Sequence, residues 1–265
     1  MRKKRVAIIG YGAIARDLIA ALPDACGDYV LAVLHRRVVD HIEQRGVLNF
    51  LNIEELKEWQ PDIVIEAAGH EVVRTVAPQF LSFGVPVLVS SVGALHDHSL
   101  FENLTMKAEQ GKTRLLLPSG AIGALDYVRA CRFTKEQIIV YESRKPVKAW
   151  RKELLEMGIE PEQMVNPVIL FEGTAREAAK LYPANLNVAA TLALAGIGMD
   201  DTRVCVVADP SLSKNQHHIH VKSDHGTMQV SFENTVSAEN PKSSRIVAKS
   251  IVAAVQQYFL PYQFL

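Results

Sequence analysis

Cysteine is scarce in this chain, and neither sign of charge is in excess. The three cysteines, Cys26, Cys131 and Cys205, are far apart, odd in number and form no CxxC pair. A disulfide framework and a cysteine zinc site are therefore not expected, and a reducing cytoplasm suits this usage best. Basic and acidic residues number 29 each, so the formal net charge is zero. Nothing indicates a polyanionic partner, so nucleic acid is not expected. Long apolar runs are also lacking. The nearest approach is "NLNVAATLALAGIGMDD", Asn185 to Asp201, which is too short to cross a bilayer and is closely bounded by Asn and Asp. It reads as a buried helix. The basic start "MRKKR" passes straight into "VAIIG", with no secretion-signal core or cleavage site after it. No internal repeat, low-complexity run or long linker is visible.

What is present is ordinary globular material. The 265 residues are 48% hydrophobic and 22% charged, enough for one large domain or two small ones with a substantial core. In the first half, short apolar runs alternate with helical patterns. "RVAIIG", "YVLAVLHRR", "PDIVIEAAG", "VPVLVSS" and "TRLLLPSGA" read as strands. "AIARDLIAALPD", "VVRTVAPQFLSFG" (one amphipathic helix closed by Gly84) and "ALDYVRACRF" read as helices. That order predicts an α/β fold, a doubly wound parallel sheet of Rossmann type covered on both faces. Residues 36–60 read as plain helix and loop without chemistry.

The second half changes character. "RKPVKAW", "VILFEGTAREAAKLYP", "TRVCVVADP", "HHIHVKS" and "TMQVSFEN" contain alternating strands, which predicts a mixed sheet with one covered face. "NPKSSRIVAKSIVAAVQQYF" is an amphipathic helix after Pro241, expected to return to the first domain. The expected division is 1–120 with 241–265 as dinucleotide-binding domain, and 121–240 as substrate domain.

The first strand–helix turn is "GYGAIA", a match to G-x-G-x-x-G/A at Gly10, Gly12 and Ala15. The first glycine permits the tight turn and the second lets backbone approach a pyrophosphate. A small third residue packs helix on strand, and the helix N-terminus faces the anion. A tight turn without ligand is the plain alternative. The strand before and the helix after it favour a dinucleotide. Gly10, Gly12, Ala13 and Ile14 are the expected contacts. The second strand ends in His35, Arg36 and Arg37 rather than an acid. Arg36 could meet a 2′-phosphate, so NADP is expected to be accepted, along with NAD. A solvated basic loop is the rival. The loops "AAGH", "SSVGAL" and "PSGAIGALD" lie at carboxyl ends of strands, where ligands of open parallel sheets bind.

The strings "GYGAIA", "EAAGH", "SSVGAL", "PSGAIGALD", "GTAREAAKLYPANLNVAATLALAG", "ADPSLSKNQHHIHV" and "ENPKSS" together resemble the L-aspartate dehydrogenase family, nearly end to end. The resemblance implies a Rossmann domain, a second α/β domain that catalyses and dimerises, and a homodimer. It implies oxidation of L-aspartate with NAD(P), through iminoaspartate to oxaloacetate and ammonia, with iminoaspartate feeding NAD biosynthesis in some organisms. It implies a catalytic histidine at "NQH", His217, and cofactor contacts at Ala121 and Asn187. Asn187 is expected at a helix start, where an amide caps backbone or reaches a ligand.

An imidazole titrating near neutral pH could serve as base for the amine or for the attacking water. On a strand, His218 and His220 share one face and His217 takes the other. Histidines two apart without an acidic third ligand do not make a metal site, so no metal is expected. Solvated histidine is the plain reading of His218, His220 and His225. For the substrate carboxylates the candidates are Lys242, with Ser243 and Ser244 at a helix start, then Ser91, and less directly Arg144 and Lys145. Each also reads as an ordinary surface or turn residue. The alternatives to aspartate oxidation are a dihydrodipicolinate reductase-like or homoserine dehydrogenase-like reductase, and a non-catalytic NAD(P)-binding sensor.

Overall fold

The structure is a computed structural model, and it describes residues 2–26, 29–37, 46–183, 185–237 and 243–264. It divides into two units, Met1–Pro118 with Ala248–Leu265, and Ser119–Val247.

The first unit opens with β1 (Lys4–Ile9), α1 (Ala13–Cys26) and β2 (Tyr29–Leu34). β3 (Leu48–Phe50), α2 (Ile53–Glu58) and β4 (Ile63–Glu66) follow, then α3 (His70–Thr75), α4 (Ala77–Ser82), β5 (Val87–Val89), α5 (His98–Gln110) and β6 (Leu115–Leu116). The strands pair in the order β3-β2-β1-β4-β5-β6, all parallel. Consecutive residues Val6, Ala7 and Ile8, and again Ile63, Val64 and Ile65, have no exposed surface. Both faces of the sheet are therefore covered, which explains unbroken apolar runs instead of alternation. Helix α1 contributes Ala15, Leu18, Ile19 and Leu22, an i, i+3, i+4, i+7 stripe that is buried throughout. Burying each of its larger side chains contributes roughly 1.5–3 kcal/mol.

Two expectations for this unit need correction. The single helix over "VVRTVAPQFLSFG" is two, broken at Val76. Pro78 has no N–H to give Arg74, and its ring crowds that carbonyl, so the helix restarts with proline in its first turn. Residues 36–60 also contain a strand: β3 pairs with the edge of β2, Ala32 opposite Leu48 and Leu34 opposite Phe50. Three residues are too few for periodicity to declare them.

The second unit contains α6 (Leu125–Cys131), β7 (Ile138–Pro146), α7 (Arg151–Glu156), β8 (Val168–Thr174), α8 (Ala175–Leu181) and α9 (Asn187–Ala195). It continues with β9 (Arg203–Asp209), β10 (Asn215–Ser223) and β11 (Gly226–Asn234). The sheet order is β11-β10-β7-β9-β8, with β7 and β9 parallel and the other pairs antiparallel. The expected strand over "RKPVKAW" is displaced: β7 begins at Ile138 and stops at Pro146, whose missing N–H ends the ladder, and Val147–Trp150 forms a helical turn. Helix α8 starts on a capping box, with Thr174 and Glu177 exchanging hydrogen bonds. Helix α9, cut from the apolar stretch of the sequence, is buried from Val188 to Ala193. Asn187 is its first residue, not its cap. Leu186 holds the cap position, and no side chain caps there. The chain ends in α10 (Ile246–Phe259), which buries Ala248, Ile251, Val252 and Val255. Among the described residues no helix is long and apolar enough to cross a membrane.

Candidate active site

In the first unit, the turn after β1 is set by a close approach. Gly10 has φ +100°, and a Cβ there would meet the Ala67 carbonyl oxygen and the Ala68 Cβ at 2.8 Å each. Only glycine takes this position without strain. The turn is stitched to both neighbours, with Gly10 N donating to Leu34 O and Ala67 N to Ile9 O, each at 2.9 Å. At Gly12 the opposite holds: a Cβ would meet nothing within 4 Å. That open space lies before the N-terminus of α1, whose first residues, Ala13 and Ile14, have N–H groups with no carbonyl to meet within the helix, and no acid stands in the first turn. These residues fit a dinucleotide pyrophosphate.

The loops after β4 and β5 share one anchor. Glu66, fully buried at the end of β4, accepts from Ala68 N at 2.8 Å and Gly69 N at 2.7 Å. Ser91, expected as a substrate contact, gives both its N–H and its hydroxyl to the same carboxylate. At the end of β2, His35 Nε2 bonds Asn49 Oδ1 at 2.9 Å and Nδ1 accepts from Arg37 N at 3.4 Å. Arg36 and Arg37 are exposed there.

In the second unit, alternation along two paired strands gathers polar groups on the covered face. β7 buries Tyr141, Ser143 and Lys145, and β10 buries Asn215 and His217, with His217 opposite Ser143. His217 Nδ1 lies 2.7 Å from the Tyr141 hydroxyl, while Nε2 is buried without a partner among the described residues. Burial holds the His217 pKa down to about 3, with Lys145 and His218 adding to the effect, so the ring is neutral at physiological pH. Lys145 Nζ donates to Asn185 O at 3.2 Å and Oδ1 at 3.1 Å, and stands 5.6 Å from the Trp150 ring centroid. Asn215 Nδ2 donates to Ser244 Oγ at 3.0 Å, and its Oδ1 has no partner among the described residues. Ala121 is buried, and its carbonyl accepts from Asn234 Nδ2 at 2.8 Å.

The other expected residues have these places. Lys242 lies outside the described residues. Ser243 is half-buried, and its carbonyl accepts from Ser237 N and, at 3.5 Å, from Asn215 Nδ2. Arg144 points to Glu142 and Asp209 at 2.9 and 2.8 Å, an ion-pair chain that raises its pKa. His218 bonds Ser231, and His225 bonds Asp224 at the surface. Among the described residues no three His, Cys, Asp or Glu side chains are placed to hold a metal. Sequence reasoning missed Glu66, Tyr141, Asn185 and Asn215. A charged residue closing a fully apolar strand was the available signal for Glu66.

A Rossmann-type parallel sheet with a glycine-rich first turn, and a mixed second sheet with a buried neutral imidazole, are the build of a nicotinamide-dependent dehydrogenase. Comparison with known proteins narrows this. The family described as "Aspartate dehydrogenase, C-terminal" matches residues 126–258, and "Homoserine dehydrogenase, NAD binding domain" matches 10–118. The chain is 46% identical over 257 residues to L-aspartate dehydrogenase 2 of Bordetella pertussis, covering 96% of each. It is 41% identical over 215 residues to the L-aspartate dehydrogenase of Methanosarcina barkeri, covering 80% of this chain and 79% of that one. Among solved structures, the aspartate dehydrogenase of Thermotoga maritima superposes with a TM-score of 0.77 over 100% of both chains, at 24% identity. The chain belongs to the aspartate dehydrogenase family. A dihydrodipicolinate reductase from Paenisporosarcina shares the fold alone, with a TM-score of 0.52, 15% identity and coverage of 96% and 94%. The homoserine dehydrogenase likeness covers only the cofactor domain.

Proposed function

We propose that this chain oxidises L-aspartate with a nicotinamide dinucleotide, through iminoaspartate to oxaloacetate and ammonia, with His217 at the reacting centre. One observation carries the assignment of His217: it is buried beside Lys145, and its Nε2 is a polar atom with no partner among the described residues. Such an atom is costly unless a ligand completes it. The cofactor, when bound, supplies the hydride acceptor. Gly10 permits the tight turn, Gly12 leaves room for the pyrophosphate, and the N–H groups of Ala13 and Ile14 bind it. Arg36 binds the 2′-phosphate, so NADP is accepted along with NAD. Ala121 and Asn187 are contacts for the nicotinamide end, as the family resemblance implies. Lys145, a buried cation beside the imidazole, suits a substrate carboxylate better than the exposed candidates do.

The assembly is a homodimer and the compartment a reducing cytoplasm, in keeping with the family resemblance and the sparse cysteines. One use of the iminoaspartate is NAD biosynthesis. Reduced-nicotinamide absorbance tests the reaction, with L-aspartate against D-aspartate, L-glutamate and L-homoserine, and NAD and NADP in parallel. Signal with L-aspartate alone is expected. Its absence, with cofactor binding intact, would overturn the substrate. His217→Ala is expected to lose turnover while still binding cofactor; unchanged turnover in the folded variant would overturn its role.

A further inference from the structure

The Tyr141–His217 contact has two possible proton arrangements, and they give His217 opposite chemistry. The two rings lie nearly parallel, 13° apart, and the joining hydrogen bond is 2.7 Å. Burial pushes the Tyr141 phenol well above its ordinary range, so it keeps its proton and must donate it. The Ser143 hydroxyl lies close enough to the phenol to act on it, is buried, and as placed has no hydrogen-bond partner among the described residues, so the phenol oxygen is the acceptor a turn of that hydroxyl would meet.

Suppose first that His217 Nδ1–H donates to Tyr141. The phenol proton then turns to Ser143, whose own O–H is left without an acceptor in a buried site. Nε2 is left as a bare lone pair, so two groups go unmet. Now reverse the chain. Ser143 O–H points to Tyr141, Tyr141 O–H points to Nδ1, and the imidazole proton sits on Nε2. Only Nε2–H then remains to be met. Buried polar groups favour the arrangement that leaves fewer of them unsatisfied.

We infer that Tyr141 is a positioning residue that fixes His217 as the Nε2–H tautomer, so that His217 meets the substrate as a hydrogen-bond donor to a carboxylate or carbonyl oxygen. This rests on the proposed place of His217 at the reacting centre. A nitrogen that already bears the proton cannot take one from the amine. The ammonium proton of aspartate therefore passes to bulk water, leaving the neutral amine from which oxidation starts. As a donor the neutral imidazole holds a substrate carboxylate during oxidation, and in the reverse direction it polarises the oxaloacetate carbonyl oxygen as the amine adds, in neither case changing its own charge.

Nitrogen NMR of the full chain, isotope-labelled at its histidine ring nitrogens, tests the tautomer directly, with His217→Gln identifying the signal. The expected result is a protonated Nε2 and an unprotonated Nδ1 at neutral pH. The reverse pattern would overturn the inference. In Tyr141→Phe the Nδ1–H form is expected to appear, with kcat falling about tenfold or more and the Kd for reduced cofactor unchanged. An unchanged tautomer, or unchanged kcat, in folded Tyr141→Phe would overturn it. Failure of the wild type to turn over aspartate would instead overturn the functional reading, and the tautomer would still be read from the spectrum.

Discussion

Ser91 spends both of its donors on Glu66: its N–H reaches Oε2 at 2.9 Å and its hydroxyl reaches Oε1 at 3.0 Å. Oε1 also receives Ala68 N and Gly69 N. One fully buried carboxylate therefore fixes two loops at the carboxyl ends of β4 and β5, where open parallel sheets bind their ligands. Ser91 positions backbone here, and its hydroxyl is already committed.

Glu66→Gln keeps the size of the side chain and removes this arrangement. If one amide oxygen keeps Ala68 and Gly69, the NH2 group must face the Ser91 N–H, donor against donor. Hydrogen bonds to a charged group contribute about 1.5–3 kcal/mol, and leaving one buried donor unmet costs a similar amount. The variant is expected to unfold at lower temperature and to bind reduced cofactor about tenfold more weakly, roughly 1.4 kcal/mol. Fluorescence titration and a thermal melt measure both. Wild-type affinity in Glu66→Gln would show that these loops do not bear on the cofactor.

The end of β2 sets up the cofactor-preference test. His35 is held by Asn49 and by the Arg37 amide, which leaves the Arg36 side chain exposed at the strand end with no acid beside it in sequence. Arg36→Asp replaces an attraction for a 2′-phosphate by a repulsion and supplies an acceptor for ribose hydroxyls. The expected result is a fall in kcat/KM of about tenfold or more with NADP, the size of one charge-assisted contact, and little change with NAD. Parallel kinetics with the two cofactors decide it. An equal effect on both would mean that Arg36 is not near the adenosine ribose.

The sequence carried the frame of the molecule more fully than its site. The glycine turn after β1 was legible because glycine at a forced positive φ has a physical cause that survives in one dimension. The alternation of β10 likewise separates His217 from His218 and His220 by strand face. The partner of His217 was not legible. Tyr141 is 76 residues away, and only the antiparallel register of β7 against β10 brings them together. Asn185 and Asn187 illustrate the same limit. The sequence singled out Asn187, as a helix cap or a ligand contact, yet it is Asn185 that holds Lys145 through its carbonyl and its amide oxygen. Which of two nearby asparagines turns inward depends on how α9 enters, and local pattern does not encode it. Glu66 was hidden for another reason: an acid at the end of an apolar run looks like the start of a loop.

Lys145 offers a test confined to the second unit. Its side chain is 2% exposed and lies beside His217, whose pKa it lowers. Lys145→Met keeps the stem and removes the charge. If a substrate carboxylate binds there, KM for aspartate is expected to rise about tenfold to a hundredfold, the loss of one charge-assisted contact, with cofactor Kd unchanged. Steady-state kinetics and a cofactor titration separate the two. A normal KM would return the carboxylate sites to Ser243 or Lys242.

Acid should find the buried imidazole through stability. Folded His217 stays neutral down to about pH 3, whereas an unfolded histidine takes a proton near 6.5. Between those values the unfolded chain binds more protons, so stability falls as the pH is lowered. Above 6.5 both states are neutral, and His217 contributes no pH dependence. The slope from this one group is at most about 1.4 kcal/mol per pH unit, giving roughly 2 kcal/mol between pH 7 and pH 5. His217→Gln lacks the titration and can still accept from Tyr141 through its amide oxygen. Urea unfolding of both proteins at pH 7 and pH 5 is therefore expected to show a larger loss in the wild type, by about 2 kcal/mol. Because every other carboxylate and histidine is shared, the difference between the two proteins isolates position 217. Equal losses would mean that water reaches the ring in the folded protein, and the donor role of a dry Nε2–H would lose its basis.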